Sequence, residues 1–158
     1  MTPASGSKTT DDSLSKSRLR LWLKLLKGSN LIADKLRRQM RAELSTTLPR
    51  FDVMSALSRA PDGLKMSEIS KRLRVSNGNI TGIVDTLVAE GFVERVAVPG
   101  DRRASLVLLT PAGRAVFAEH ARHHEAWLNE ILGGLDHDDI DRRVCVLDHM
   151  SKTLGGEA

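Results

Sequence analysis

RVSNGNITGIVDTLVAEGF, residues 74–92, changes character partway along. From Ile80 the pattern Ile80-x-x-Ile83-Val84-x-x-Leu87-Val88 is an apolar stripe at helical spacing that stops at Glu90-Gly91, which predicts a packed helix ended by a glycine. The turn before it reads Ser76-Asn77-Gly78-Asn79. One polar residue is enough to cap a helix, and asparagine and glycine are poor helix formers. Two readings stay open on these residues alone: a redundant cap on a structural helix, or polar groups kept for a partner.

The flanking segments weigh on that choice. Upstream, Pro49 to Ala60 forms a helix with Phe51, Met54, Ala56 and Leu57 inward, closed by the turn Pro61-Asp62-Gly63. Ser67 to Leu73 follows as a short capped helix, and Arg74-Val75 leads into the helix that opens at Ser76. Downstream the period becomes strand-like, with Phe92 to Val98, a charged tip Pro99-Gly100-Asp101-Arg102-Arg103, and Ala104 to Leu109. Helix, helix-turn-helix, two-stranded hairpin and helix make a winged helix-turn-helix. In that arrangement the first turn of the second helix enters the major groove of DNA, where Asn77 and Asn79 offer both donors and acceptors and Gly78 permits close approach. An arginine at the hairpin tip, Arg102 or Arg103, can enter the narrow, negative minor groove. Lys71 and Arg72, at the end of the preceding helix, are placed for phosphates.

A long amphipathic helix precedes all this, from Leu14 to Leu44, interrupted only by Gly28-Ser29. Leu21, Trp22, Leu25, Ile32, Leu36 and Met40 share one arc, widened by Leu19, Leu23 and Leu26. Some 30 residues of helix span about 45 Å, more than a domain of this size can cover, so the arc calls for a second chain. On the other side lie Arg20, Lys24, Lys27, Lys35, Arg38 and Arg41, either a solvated face or an anion-binding stripe. Charge is uneven along the chain: residues 1–50 carry 11 basic and 4 acidic residues, a net +7, whereas residues 111–158 carry 5 and 9, a net −4. At the C-terminal end, Thr110-Pro111 starts a helix that runs to Leu132, Gly133-Gly134 breaks it, and Asp136 or His137 opens the last one.

Composition narrows the function. At 158 residues, with 41% hydrophobic and 28% charged residues, the chain is an ordinary soluble domain. Aromatic residues make up 3% and tyrosine is absent, which leaves little for a base-stacking platform. A single cysteine, Cys145, excludes internal disulfides and cysteine-based zinc sites; flanked by Val144 and Val146, it reads as a small buried residue. Residues 1–12 read as a disordered tail without a secretion signal, which leads us to expect a cytoplasmic protein. His120 and His124 stand at i, i+4, with His123 and Glu125 beside them, but no third ligand is identifiable and a solvated face is the expectation. With no Ser/His/Asp spacing, no H-E-x-x-H and no G-x-G-x-x-G, neither an enzyme nor a cofactor is expected.

Ser67-Glu68-Ile69, the Ser76-x-x-x-Ile80-Thr81 helix, Asp101-Arg102-Arg103-Ala104 and Leu109-Thr110-Pro111-Ala112-Gly113 together resemble the MarR family of dimeric, ligand-responsive transcriptional regulators. The resemblance spans Leu31 to the last helix. It implies that Arg103 is the wing arginine with Asp101 as its local partner, and that Ser76, Asn77, Asn79 and Thr81 are recognition-helix positions. Members often carry a larger basic residue where this chain has Gly82, so the resemblance supplies no contact there. Redox-sensing members keep their cysteine near the N-terminus, and that mechanism does not transfer to Cys145. The run Ser76 to Thr81 is also similar to a subgroup that represses hydroxycinnamate catabolism and is released by aromatic acyl-CoA thioesters. Such a ligand implies phosphate binding by Arg37, Arg38 and Arg41, with Trp22 and Met40 either lining a pocket for the acyl part or simply packed as core.

The expected fold is therefore mainly α with a small β-hairpin, a winged helix-turn-helix that dimerises through its N- and C-terminal helices. Its parts are a tail at 1–12, an N-terminal dimerisation helix at 13–48, the DNA-binding region at 49–110 and C-terminal dimerisation helices at 111–158, in one intertwined domain. The expected function is a repressor of aromatic compound catabolism, bound as a homodimer to palindromic double-stranded DNA and released by an aromatic anion such as p-coumaroyl-CoA or feruloyl-CoA, with no membrane partner. The second reading is a dimeric helical adaptor whose winged helix binds a protein.

Overall fold

The computed structural model describes the backbone of residues 7–155 and the side chains of 12–101 and 103–155. Its elements in chain order are α1 (Ser7–Leu44), α2 (Leu48–Ser58), β1 (Leu64–Lys65), α3 (Met66–Leu73), α4 (Asn77–Ala89), β2 (Val93–Val98), β3 (Asp101–Leu109), α5 (Pro111–Leu132) and α6 (His137–Thr153). Two compact units result, one up to Phe117 and one from Ala118 onward.

The first unit is organised around α4. Ile80, Val84 and Leu87 are each fully buried, joined by Val53, Met54 and Leu57 of α2, Ile69 of α3, and Leu64, Val93, Val107 and Leu109 of the sheet. These positions recur every three to four residues on the helices and every second residue on β3, as one-sided burial requires. Gly91 ends α4 at φ +77, and the Phe92 N–H donates to Leu87 O at 3.0 Å, a left-handed stop that turns the chain into β2. Past Val93 no β2 residue is buried, so the hairpin leaves the core.

At its base the hairpin is fastened to α5 by backbone. Thr110 N–H donates to Phe92 O at 3.1 Å, Thr110 Oγ1 donates to Gly91 O at 2.7 Å, and Gly113 N–H donates to Thr110 Oγ1 at 3.0 Å. The approach is close enough that a Cβ on Gly113 would lie 1.8 Å from Phe92 O. The Leu109-Thr110-Pro111-Ala112-Gly113 run is thus a structural latch.

Several elements differ from the sequence reading. The sheet has three strands, not two, in the order β1-β3-β2, because Leu64 and Lys65 pair antiparallel with Val107 and Leu106. α1 begins at Ser7 and runs unbroken through Gly28-Ser29, so Ser7 to Asp12 is helical rather than tail; residues 1–6 lie outside the described residues. α3 begins at Met66, with Lys65 N–H donating to the Glu68 carboxylate at 2.7 Å, which makes Ser67 an exposed first-turn residue and not the cap. The hairpin turn is only Pro99-Gly100, and Asp101 to Arg103 belong to β3. In the second unit α6 has no buried residue, leaving Val144, Val146 and Leu147 exposed and Cys145 exposed with them, because a helix with no neighbour covering its apolar face cannot bury a thiol. His120, His123 and His124 are half-buried rather than on a solvated face, and burial holds His124 below the usual imidazole range. Among the described residues no group of three or more His, Cys, Asp or Glu could hold a metal, and no helix is long and apolar enough to cross a membrane.

Gly113→Ala is expected to destabilise the protein by about 3 kcal/mol or more in urea denaturation, since the blocking atom is backbone. Gly82→Ala, where nothing lies within 4 Å of the added methyl group, is expected to gain roughly 0.5–1 kcal/mol instead.

Candidate nucleic-acid interface

α3 and α4 are joined by Arg74, Val75 and Ser76, with Arg74 at φ 53 and Val75 N–H donating to Ser70 O at 3.2 Å. The tight link sets α4 across α3 and leaves the first turn of α4 projecting, because its first buried residue is Ile80. Ser76, Asn77, Gly78 and Asn79 are all exposed. Ser76 occupies the N-cap position, and its carbonyl accepts from Ile80 N–H at 3.2 Å, but its side chain makes no cap hydrogen bond. The redundant-cap reading therefore loses its footing: the polar side chains of this turn do not serve the helix. Thr81 is the exception, since its hydroxyl donates to Asn77 O at 2.9 Å and keeps only acceptor capacity for a partner. Lys71 and Arg72 are exposed in the last turn of α3, as is Arg74, a turn residue that the sequence pattern did not single out.

The wing has its own device. Ala97 pairs with Ser105 while Val98 pairs with Asp101, so Arg102, Arg103 and Ala104 have no partners across the hairpin and form a bulge. A bulge re-aims side chains and leaves backbone groups unpaired. Asp101 meets that need, its carboxylate accepting from Arg103 N–H at 3.0 Å, which leaves the exposed Arg103 guanidinium uncommitted to Asp101. Asp101 is thus the local partner of Arg103 through the backbone rather than by an ion pair; the Arg102 side chain lies outside the described residues. Arg95 of β2 bonds Asp85 of α4 at 2.7 Å, and Arg50 of α2 bonds Glu90 at the other end of α4. The first pair ties the wing strand to α4, and the second ties α4 to α2.

A cavity of about 480 Å³ lies behind the polar turn, lined by Arg37 and Arg41 of α1, Thr47, Leu48, Pro49 and Asp52 around the start of α2, Leu73, Val75, and Asn79, Ile80 and Ile83 of α4. Of the five residues proposed from the sequence for an effector, Arg37 and Arg41 reach it, being one helical turn apart on one face. Arg38, exposed like Arg37 and Arg41, does not line it, Met40 is fully buried in the core, and Trp22 stands 57% exposed about four turns up the helix. Asp52 was not foreseen. Asp52 is exposed, yet partial desolvation beside the apolar wall raises its carboxyl pKa, and the Arg37 guanidinium opposes that shift.

A winged helix with an uncapped polar turn, a bulged basic wing and exposed cations on α3 defines a DNA-binding transcriptional regulator by its architecture. Residues 44–104 match the model of the MarR family. The transcriptional activatory protein BadR of Rhodopseudomonas palustris is 30% identical over 146 residues, covering 88% of this chain and 83% of that protein. The multiple antibiotic resistance protein MarR of Salmonella typhimurium is 31% identical over 108 residues, covering 68% and 74%. A solved MarR family regulator from Silicibacter pomeroyi is similar at a TM-score of 0.73, with 31% identity, over 89% of this chain and 96% of that one. The chain belongs to the MarR family, whose matched members are transcriptional regulators and not enzymes.

Ser76→Ala is expected to change folding stability by less than about 0.5 kcal/mol, because no cap bond is lost, whereas Asp136→Ala, which removes the acceptor of Asp139 N–H at 2.8 Å, costs about 1 kcal/mol. Thermal unfolding of the two variants side by side checks this.

Proposed function

We propose that the chain is a homodimeric repressor that releases a palindromic operator when an aromatic acyl-CoA, or another aromatic anion, binds with its aromatic part in the cavity behind α4. The observation that carries the reading is the shared lining: Arg41 supplies a cationic group for the ligand, with the Asp34-paired Arg37 beside it, and Asn79 and Ile80 belong to the helix that carries the polar turn. A cavity of about 480 Å³ suits an aromatic acyl group and leaves the coenzyme phosphates outside, toward the basic side of α1. Dimerisation is supported by the exposed Leu19, Leu21, Trp22, Leu23 and Leu26 of α1 and Ile140, Val144, Val146 and Leu147 of α6. Repression is the simplest sign for a regulator that acts by occupying its site. BadR is named an activatory protein, so reporter output with the gene deleted decides the sign here.

In this reading Ser76, Asn77, Gly78, Asn79 and Thr81 face base edges, Ser67, Lys71 and Arg72 face phosphates, and Asp101, Arg102 and Arg103 form the minor-groove wing. Arg103→Ala is expected to weaken operator binding by about 1–3 kcal/mol and to relax the preference for flanking A·T pairs. Asn79→Ala loses a similar rough amount at one base pair, while Lys71→Ala and Arg72→Ala weaken operator and random duplex alike and flatten the salt dependence. Mobility shifts over a salt series separate these patterns, and equal loss on both duplexes for Asn79→Ala removes it from the reading surface. Half-sites are expected about 10 bp apart. No preference for operator over random DNA would favour the adaptor reading.

For the ligand, calorimetry with p-coumaroyl-CoA and feruloyl-CoA is expected to give weaker binding by roughly ten- to hundredfold in Arg41→Ala and little change in Trp22→Ala, since a charge-assisted bond is worth about 1.5–3 kcal/mol and Trp22 stands outside the cavity. Unchanged affinity in Arg41→Ala would make the basic side of α1 a solvated face.

A further inference from the structure

We propose that Asp52 is a specificity-determining residue of the cavity behind α4: its carboxylate accepts a hydrogen bond from the ligand, so the site takes aromatic acyl groups that carry a ring hydroxyl in preference to the same groups without it. This rests on the effector reading above and adds to it a second point of recognition.

The cavity has few polar groups, and their commitments differ. Arg37 is already bound to Asp34 at 2.7 Å. Arg41 and Asp52 make no hydrogen bond or ion pair with another side chain among the described residues, and both line the same space. The rest of the wall is largely apolar, with Leu48, Pro49, Leu73, Val75, Ile80 and Ile83. Thr47 accepts from Arg50 N–H and Asn79 sits at the polar turn, so the charged groups without a hydrogen-bond partner among the described residues on this largely apolar wall are the Arg41 guanidinium and the Asp52 carboxylate, the latter also under the influence of Arg37. A flat apolar body with an acceptor for the first and a donor for the second matches them. A thioester carbonyl meets Arg41, and a ring hydroxyl meets Asp52.

Asp52 is held between Phe51 and Val53, both buried in the core, so the backbone that carries it cannot move aside. A ligand that fills the slot takes the carboxylate further from water. With a hydroxyl opposite, the lost hydration is replaced by a charge-assisted bond; with a bare ring, the acceptor is left desolvated and unpaired. Discrimination therefore arises mainly from a penalty on the ligand without the donor, the asymmetry that lets polar sites reject analogues lacking a hydroxyl. Asp52 is exposed beside the cavity, so its carboxylate still reaches water and the desolvation that raises its pKa is only partial; a ligand filling the slot would complete it.

The test is titration calorimetry of the full chain with p-coumaroyl-CoA and cinnamoyl-CoA, which differ only in the ring hydroxyl, against wild type, Asp52→Asn and Asp52→Ala, each checked for folding by its thermal transition. Wild type is expected to favour p-coumaroyl-CoA by roughly ten- to hundredfold. In Asp52→Ala the ratio is expected to collapse to within about threefold, chiefly through tighter binding of cinnamoyl-CoA, while Asp52→Asn, whose amide oxygen still accepts, keeps an intermediate preference. If both thioesters bind and their ratio is the same in wild type and Asp52→Ala, the assignment of Asp52 is overturned and the effector reading stands. If neither binds wild type, the effector reading fails and this inference falls with it.

Discussion

Burial of the α4 stripe is the constraint on which the rest of the molecule depends. Ile80, Val84 and Leu87 are fully buried against α2, α3 and the sheet, and each such side chain is worth about 2–5 kcal/mol against truncation to alanine. That anchoring fixes both the rotation of the helix and its depth. Because Ile80 is the fourth residue of α4, the core ends one turn short of the helix start, and Asn77, Gly78 and Asn79 stand beyond it. The same stripe that makes the fold stable thus decides which residues are presented to solvent.

The wing follows a similar rule, rigid at its base and open at its tip. Thr110 and Gly113 tie the base to α5 through backbone atoms, and Val93, Val107 and Leu109 carry the core into the first rungs of the sheet. Farther out there is no hydrophobic burial to hold the strands, and the bulge at Arg102 to Ala104 would leave the Arg103 N–H without a partner were it not for the Asp101 carboxylate. An acid two residues before an arginine is therefore a backbone device at this turn. It fixes the chain and leaves the guanidinium to act elsewhere.

Features governed by local chemistry were legible in the sequence. The α4 stripe and its stop at Gly91, the proline start of α2, the Thr110-Pro111 start of α5 and the Asp136 cap of α6 are all set within a few residues, and all stand in the structure. What depended on distant contacts was not. β1 is two residues long and exists only because Val107 and Leu106 lie beside it, some forty positions away, so no periodicity announces it. Met40 and Arg41 are neighbours in sequence, yet one is core and the other lines the cavity, and Trp22 is carried away by the rise of the helix. Asp52 gave no signal because a single acid between two core residues belongs to no motif; only the closing of α1, α2 and α4 around one space gives it a chemical context. The exposed Cys145 shows the opposite error, an apolar stretch read as core although nothing in the second unit covers α6.

The proposed coupling of cavity to DNA can be weighed by magnitude. A ligand typically shifts affinity at a second site through a coupling free energy of about 1–3 kcal/mol. Drawing Ile80 out of the core would cost about 2–5 kcal/mol, too much for such a ligand to drive by itself. Remodelling the first turn of α4 costs less: Ser76 contributes no side-chain cap, asparagine favours the helix only weakly, and Gly78 lowers helix propensity by about 1 kcal/mol relative to alanine. Asn79 lies on both surfaces, exposed in the polar turn and lining the cavity, so in the proposed coupling a ligand touching it would act on the first turn while the stripe below stays in place. If the proposed effector acts here, the two asparagines and the glycine at the start of α4 would serve twice, in recognition and in a turn of low helix propensity that a modest binding energy can reset.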